Sequence, residues 1–118
     1  MKLFDSELKV MDVLWRLGDR TAKEISAILG EETGWNVNTT YTVIKKCVAK
    51  GAVRRSEPNF LCHALISKEE VQQQEAVSLM DKLFDGSPSL LVSAFLGEQK
   101  ALPPEEIARL RELVEKLK

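Results

Sequence analysis

Apolar residues recur at helical spacing near the start of the chain and predict a first short helix. Four of them lie at positions i, i+3, i+6 and i+7: Leu8, Met11, Leu14 and Trp15. Residues at these positions share one side of an α-helix, as expected for an amphipathic helix packed on a core. We expect Asp5 to cap this helix and Gly18 to end it after Leu17.

A second helix is predicted to begin at a capping box, in which Thr21 and Glu24 stand three residues apart. In this motif, the hydroxyl and the carboxylate each accept a backbone N–H at the start of the helix. Three apolar residues follow at helical spacing and are expected to face inward: Ile25, Ile28 and Leu29. We expect Gly30 to close the helix before a polar turn at residues 31–34.

A third helix is predicted between an N-cap at Asn36 and a terminating glycine at Gly51. Projected at about 100° per residue, it has one face that is mostly apolar. This face consists of Thr40, Val43, Ile44, Cys47 and Val48. The opposite face is polar and basic, and consists of Asn38, Thr42, Lys45, Lys46 and Ala49, with Thr39 and Tyr41 beside it. We therefore expect the apolar face to be buried and the basic face to be exposed.

The pattern changes after Gly51 and predicts a β-hairpin. Residues 52–56 and 60–66 are the two predicted strands, and Glu57, Pro58 and Asn59 are typical turn residues between them. Three short helices followed by a hairpin is the element order of a winged helix-turn-helix. The predicted fold class is therefore mainly α with a small β-hairpin (α+β), with a winged-helix DNA-binding domain at residues 1–66.

Residues 67–118 predict three further helices, separated by a break at residues 86–89 and by Pro103 and Pro104. Helices of this size cannot enclose a core among themselves, so their apolar stripes need a partner surface. We expect a second subunit to provide it, with packing on residues 1–66 as the alternative. The predicted dimerisation residues are Val77, Met80, Leu83, Phe84, Leu91, Phe95, Ile107, Leu110, Leu113 and Val114.

Charge is distributed unevenly, although the whole chain has a net charge of only −1. Residues 1–66 contain ten Lys and Arg against eight Asp and Glu, whereas residues 67–118 contain seven against ten. Five basic residues and no acidic residue lie between positions 36 and 55: Lys45, Lys46, Lys50, Arg54 and Arg55. A local basic stripe suits contact with phosphate, and a solvated helix face is the alternative explanation.

In a helix-turn-helix, the second helix crosses the DNA backbone and the next one enters the major groove. The candidate DNA-binding residues are Asn38, Thr39, Tyr41, Thr42, Lys45, Lys46, Lys50, Arg54 and Arg55. The short polar side chains suit base edges and thymine methyl groups, and the lysines suit phosphates. The two arginines belong to the hairpin and can reach the backbone or the minor groove. Tyr41 can stack on a sugar or reach a phosphate, or it can pack at the helix rim.

The residue sets needed for catalysis or for binding a metal or cofactor are lacking, so we expect no enzyme. The one histidine, His63, adjoins Cys62, and Cys47 is expected to be a small core residue. No apolar run approaches the roughly 18 residues that a membrane span needs, and the start lacks a secretory signal. Two cysteines without a Cys-x-x-Cys pair favour a reducing, cytoplasmic location.

Short motifs along nearly the whole chain match one known family in order and spacing. The helical motifs are Ser6-Glu7-x-x-Val10-Met11-x-Val13-Leu14-Trp15 and Thr21-Ala22-x-Glu24-Ile25. The later motifs are Trp35, Thr39, Thr42, Lys50-Gly51-Ala52, Leu83-Phe84-x-Gly86-Ser87, Leu91-Val92, Phe95 and Pro104-Glu105-Glu106-Ile107. Together they resemble the penicillinase-repressor family of winged-helix transcriptional regulators, which includes copper-operon repressors. The resemblance implies a homodimer that binds palindromic double-stranded operator DNA and represses resistance or metal-efflux genes.

The chain departs from this family at the positions that release the repressor from DNA. The penicillinase branch implies an inducing protease or sensor and a cut at an Asn-Phe bond, where this chain has Ala94-Phe95. The copper branch uses Cys-x-Cys pairs near the C-terminus, and this chain has no cysteine after Cys62. Asn38 and Tyr41 occupy positions that are often basic in relatives, which favours a different operator sequence.

Two other functions stay open at the level of the residues. A winged helix can bind a protein instead of DNA because fold does not determine function, although the lysines of the third helix do not favour this. A regulator can also bind a small molecule or a metal between its two parts. The sequence shows no convergent polar cluster for such a ligand.

Overall fold

A computed structural model describes residues 1–98 and 104–117 of the chain. Within these ranges the helices and strands are α1 (Asp5–Leu17), β1 (Arg20–Thr21), α2 (Ala22–Thr33), α3 (Val37–Ala49), β2 (Val53–Ser56), β3 (Leu61–Ala64), α4 (Lys68–Leu83), α5 (Pro88–Glu98) and α6 (Pro104–Leu117). Mostly helical structure with one small antiparallel sheet confirms the predicted fold class. The chain forms two compact units, Met1–Lys68 and Glu69–Lys118.

The start of α1 corrects one prediction, because Phe4 and not Asp5 is the N-cap. Glu7 explains the difference, since its Oε1 accepts the Phe4 backbone N–H at 2.7 Å. Asp5 is instead the first helical residue, where the positive end of the helix dipole favours a carboxylate. The predicted end is confirmed: the helix stops at Leu17, and Gly18 follows with a φ of +80°.

The capping box predicted at the start of α2 is confirmed. Thr21 Oγ1 accepts the Glu24 backbone N–H at 3.1 Å, and Glu24 Oε1 accepts the Thr21 backbone N–H at 2.9 Å. These hydrogen bonds with Thr21 hold the pKa of Glu24 below its ordinary value. The predicted end at Gly30 is wrong, because the helix continues to Thr33. It stops at Gly34, whose φ of +77° is a left-handed conformation that glycine adopts without a Cβ clash.

The N-cap and the two faces predicted for α3 are confirmed. Asn36 Oδ1 accepts the Thr39 backbone N–H at 2.8 Å, and Gly51 follows the helix with a φ of +80°. Four side chains of the apolar face are buried and one is half-buried, in the order Thr40, Val43, Ile44, Cys47 and Val48. The Thr40 hydroxyl donates to the Asn36 carbonyl at 3.1 Å, which satisfies the one polar group on this face.

Replacing the N-cap Asn36 by alanine is expected to lower the free energy of unfolding by about 1 kcal/mol, because a backbone donor of α3 loses its partner. Thermal unfolding followed by circular dichroism measures this change. Asn38→Ala is the matched control, since Asn38 is exposed inside the same helix, where alanine is the better helix former. Equal destabilisation by the two substitutions would contradict the capping role.

The core of the first unit lies where α1, α2 and α3 pack on one another. Its large, fully buried apolar side chains include Val10, Met11, Val13, Ile25, Leu29 and Ile44. Burial raises the pKa of Cys47 to about 12 and that of Cys62 to about 11, so both thiols stay protonated at neutral pH. Cys47 is therefore a core residue, as predicted.

The predicted hairpin is present, but it belongs to a three-stranded antiparallel sheet of order β1-β3-β2. β2 and β3 pair from Val53 and Ala64 to Ser56 and Leu61, so both strands are shorter than predicted. β1 is not predicted by the sequence, because two residues are too few to show an alternating pattern. It pairs with β3 and thereby joins the start of α2 to the hairpin.

The second unit contains the three predicted helices α4, α5 and α6. Among the predicted dimerisation residues, Met80 is buried, Phe84 and Leu91 are half-buried, and Val77 and Leu83 are exposed. The other side chains of that set lie outside the described part of the structure: Phe95, Ile107, Leu110, Leu113 and Val114.

Candidate nucleic-acid interface

The outer face of α3 is exposed and contains no acidic residue. Asn38, Thr39 and Thr42 are exposed in its first half, and Lys45 and Lys46 are exposed in its second half. The free backbone N–H groups at the start of a helix add a partial positive charge to this end. Hydrogen-bonding groups therefore precede a pair of cations along one open face.

Tyr41 lies at the edge of this face and is half-buried. Its ring packs against the ring of Phe60 with the centroids 5.9 Å apart and the planes at 84°. An edge-to-face contact of this kind is a favourable arrangement for two aromatic rings. The Tyr41 ring thus packs at the rim of the helix, and its contact with a sugar or a phosphate stays a prediction.

The hairpin is the wing of the unit and contributes two exposed arginines, Arg54 and Arg55, both from β2. The Arg55 guanidinium lies over the Phe60 ring, with Cζ 3.6 Å from the ring centroid, and its Nε donates to the Glu57 carboxylate. Arg54 stands opposite His63 in the sheet register. Both arginines thus belong to β2, an edge strand of the sheet that follows α3 in the chain.

Lys50 does not share the exposed position of the other candidates. Its Nζ donates to Glu7 Oε1 at 2.6 Å and to the Lys2 carbonyl at 2.7 Å, and it lies 4.2 Å from the centroid of the Phe4 ring. The ammonium group is thus held at α1 by a nearly buried carboxylate. Lys50 therefore joins the end of α3 to α1, and its ammonium group is not on the exposed face with Lys45 and Lys46.

Glu7 keeps its charge in this setting. Burial by itself raises the pKa of a carboxyl, but the hydrogen bonds from Lys50 and from the Phe4 backbone N–H outweigh it and lower the pKa of Glu7 below its ordinary value. The Glu7 side chain is only 2% exposed, whereas that of Lys50 is 28% exposed. The pair is therefore a partly shielded ion pair that joins the first turn of α1 to the end of α3.

Three residues near this surface were not predicted from the sequence as part of the site. Glu7 matched only a family motif, and Phe60 was predicted only as a strand residue. Val37, the first residue of α3, is 60% exposed although it is apolar. An apolar residue directly after the Asn36 N-cap was the available signal for Val37, whereas the contacts of Glu7 and Phe60 depend on distant parts of the chain.

Other kinds of site find little support in residues 1–98 and 104–117. No group of three or more His, Cys, Asp and Glu side chains is close enough to hold a metal ion there. His63 Nδ1 lies 2.8 Å from Asp19 Oδ1, an exposed pair that joins β3 to the loop before β1. None of the helices described in these ranges is long and apolar enough to cross a membrane.

Three helices, with α2 and α3 joined by a short turn, and a sheet whose β2–β3 hairpin forms a wing define a winged helix-turn-helix protein. The penicillinase repressor family model matches residues 3–116, and the chain belongs to this family. Members of the family are transcriptional regulators and not enzymes. The protein is accordingly a DNA-binding transcriptional repressor.

Known relatives agree with this assignment. The methicillin resistance regulatory proteins MecI of Mammaliicoccus sciuri and of Staphylococcus aureus (strain N315) are each 24% identical to this chain over 117 residues. Each match covers 98% of this chain and 94% of the relative. The solution structure of the DNA binding domain of the repressor BlaI has a TM-score of 0.54 and 24% identity, and the match covers 58% of this chain and 87% of that one. This neighbour supports the winged-helix fold.

Proposed function

We propose that the protein binds palindromic operator DNA as a homodimer, with α3 of each subunit in the major groove. The observation that carries this proposal is the exposed, acid-free face of α3, which presents hydrogen-bonding groups ahead of cations. A helix-turn-helix reads bases with the N-terminal part of its recognition helix, which is where Asn38, Thr39 and Thr42 lie. An acidic face would instead have favoured a protein partner.

Each group of residues has a separate task in this proposal. Asn38, Thr39 and Thr42 contact base edges, for which amide and hydroxyl groups have the required donors and acceptors. Lys45 and Lys46 contact phosphates and supply affinity without sequence information. The wing arginines Arg54 and Arg55 contact the backbone or the minor groove, and Tyr41 packs at the rim of the reading face.

The homodimer is proposed from the apolar character of the second unit, Glu69–Lys118. Several large apolar side chains of α4 and α5 are exposed in the single chain: Val77, Leu79, Leu83 and Leu90. A second copy of the same surface would remove them from water, and a two-fold axis would set two recognition helices for two half-sites. The partners of the protein are then operator DNA, a second subunit and, by family resemblance, an inducing protease or sensor. We also propose a cytoplasmic location, because that is where operator DNA would be bound.

Selection of bound fragments from a pool of random-sequence duplex DNA tests the proposal and identifies the operator sequence in the same experiment. We expect an enriched inverted repeat, and fluorescence anisotropy on that duplex should show affinity that falls steeply with salt. Enrichment of a single half-site would contradict the dimeric mode. Absence of any enriched sequence would contradict operator reading itself.

Thr42→Ala and Lys46→Ala are expected to separate base reading from phosphate contact. Loss of the Thr42 hydroxyl should weaken binding to the selected duplex by about fivefold and leave binding to unrelated duplexes unchanged. Loss of the Lys46 cation should weaken binding to all duplexes alike and lower the slope of log K against log salt by about 1 per contact removed. Salt titrations on both duplexes measure these values, and a uniform loss from Thr42→Ala would refute its reading role.

A further inference from the structure

Phe60 stands at the end of the wing turn in a backbone conformation that phenylalanine rarely adopts. Its φ is +50°, in the left-handed region that favours glycine. Strained residues of this kind persist where surrounding contacts hold them, and they concentrate at functional sites. The contacts of Phe60 therefore hold it in this conformation.

Three structural elements meet at Phe60. Its carbonyl accepts the backbone N–H of Ala22, the first residue of α2, at 2.9 Å. Its ring packs against Tyr41 of α3, and the guanidinium of Arg55 from β2 lies over the same ring. One residue thus touches the second helix, the recognition helix and the wing.

The stacked guanidinium is held in a useful orientation. Stacking occupies the face of the Arg55 guanidinium and leaves its N–H donors in the plane, where they can meet phosphate oxygens. Glu57 accepts from Nε and so limits rotation of the group further. A long side chain that would otherwise sample many rotamers is therefore ordered before it meets DNA, which reduces the entropy lost on binding.

We propose that Phe60 is a positioning residue that couples the recognition helix to the wing through Tyr41 and Arg55. When α3 binds in the major groove, Arg55 then meets the DNA backbone at a fixed distance from α3. Base contacts by α3 and the backbone contact of the wing therefore strengthen each other. This inference rests on the proposed operator binding, because it assigns a task within the same surface. It does not need Phe60 itself to touch DNA.

The test compares Phe60→Gly and Phe60→Tyr with the unchanged protein on the selected palindromic duplex. Glycine removes the ring but accepts the left-handed backbone and keeps the carbonyl bonded to Ala22, so cooperative thermal unfolding should persist. We expect operator affinity to fall about tenfold with Phe60→Gly and to return to within about twofold with Phe60→Tyr. Leu61→Ala is the matched control, because it removes a neighbouring side chain that is 37% exposed.

A double-mutant cycle supplies a readout that a purely structural role would not change. Tyr41→Ala and Arg55→Ala should have non-additive effects on operator affinity in the natural chain. The same two changes should become additive in the Phe60→Gly background. The positioning role of Phe60 would be overturned if Tyr41→Ala and Arg55→Ala remained non-additive in the Phe60→Gly background. Equal affinity losses from Phe60→Gly and Leu61→Ala would overturn it as well, and neither result would affect the proposed operator binding. Failure of the unchanged protein to bind any selected duplex would overturn the proposed function, and this inference with it.

Discussion

Lys50→Ala is expected to lower the free energy of unfolding by about 2 kcal/mol, whereas Lys46→Ala leaves it nearly unchanged. The two lysines lie four positions apart at the end of α3, yet Lys46 is exposed and Lys50 is bound to Glu7. Removing Lys50 leaves the carboxylate of Glu7, 2% exposed, without its ion-pair partner. Urea unfolding of both variants measures the difference.

In operator binding we expect the opposite order of effects, so that Lys46→Ala has the larger effect and Lys50→Ala the smaller one. Lys46→Ala should lower the salt dependence of binding, because a phosphate contact is lost. Lys50→Ala should leave that slope unchanged at a temperature where the variant is fully folded. Similar stability losses for both lysines, or a lower salt slope for Lys50→Ala, would contradict the assignment of Lys50 to the ion pair with Glu7 instead of a phosphate contact.

The destabilisation by Lys50→Ala should also depend on pH through Glu7. Because the folded-state pKa of Glu7 lies below its ordinary value of 4.5, the ionised carboxylate stabilises the fold fully above that value. The contribution is then lost as the pH falls through the lowered folded-state pKa. Natural and Lys50→Ala proteins should therefore differ most in stability near neutral pH, and the difference should become smaller in acid.

Glu7→Gln provides the control for this pH dependence. In that background position 7 has no carboxylate that could be left without a partner. Lys50→Ala should therefore lower the free energy of unfolding by less than in the natural chain at neutral pH. The remaining cost should not change between neutral and acidic pH. A difference between the natural and Lys50→Ala proteins that stays constant down to acid pH would show that Glu7 is not the partner that matters.

A chain shortened to residues 1–68 is expected to bind the palindromic duplex about 100-fold more weakly than the full chain. The full chain, as a dimer, holds its second recognition helix near the second half-site, whereas two separate units must bind independently. Residues Met1–Lys68 form one compact unit, so α3 and its core remain in the shortened chain. Fluorescence anisotropy measures the affinities, and light scattering should give about twice the 13.3 kDa chain mass for the full-length protein only.

A duplex with one half-site randomised distinguishes lost dimerisation from local damage. The full chain should lose most of its affinity on that duplex, whereas residues 1–68 should lose only about twofold, since they already bind one half-site at a time. Equal affinities of the long and short chains for the palindrome would overturn the assignment of residues 67–118 to dimerisation.

Local signals explain which parts of this structure could be predicted. The capping residues Thr21 and Asn36 act on N–H groups within three positions, so sequence spacing alone places the starts of α2 and α3. The end of α2 could not be placed in the same way, because Gly30 and Gly34 are both possible stops. The structure selects Gly34, which has a positive φ, and keeps Gly30 inside the helix.

In the candidate site, too, local signals predicted some features and missed others. Helical periodicity alone separates the polar face of α3, which includes Thr42 and Lys46, from its buried face, because both follow from the turn of one helix. Lys50 was predicted to contact phosphate because it belongs to the run of basic residues between positions 36 and 55, and a local charge pattern does not register a carboxylate from the start of the chain. Arg54 and Arg55 were predicted as DNA-binding residues, whereas the contact of Arg55 with the Phe60 ring was not predicted.

The sequence by itself determined the helices, the N-caps of α2 and α3, the hairpin and the basic face of α3, because each depends on residues a few positions apart. Only the tertiary structure decided that Lys50 binds Glu7, from which it is separated by 43 positions, and that Tyr41 and Arg55 meet at Phe60. It also added β1, which exists only because β3 offers a partner. Such contacts depend on how the helices and the sheet pack, and packing brings together residues whose spacing in the sequence carries no signal.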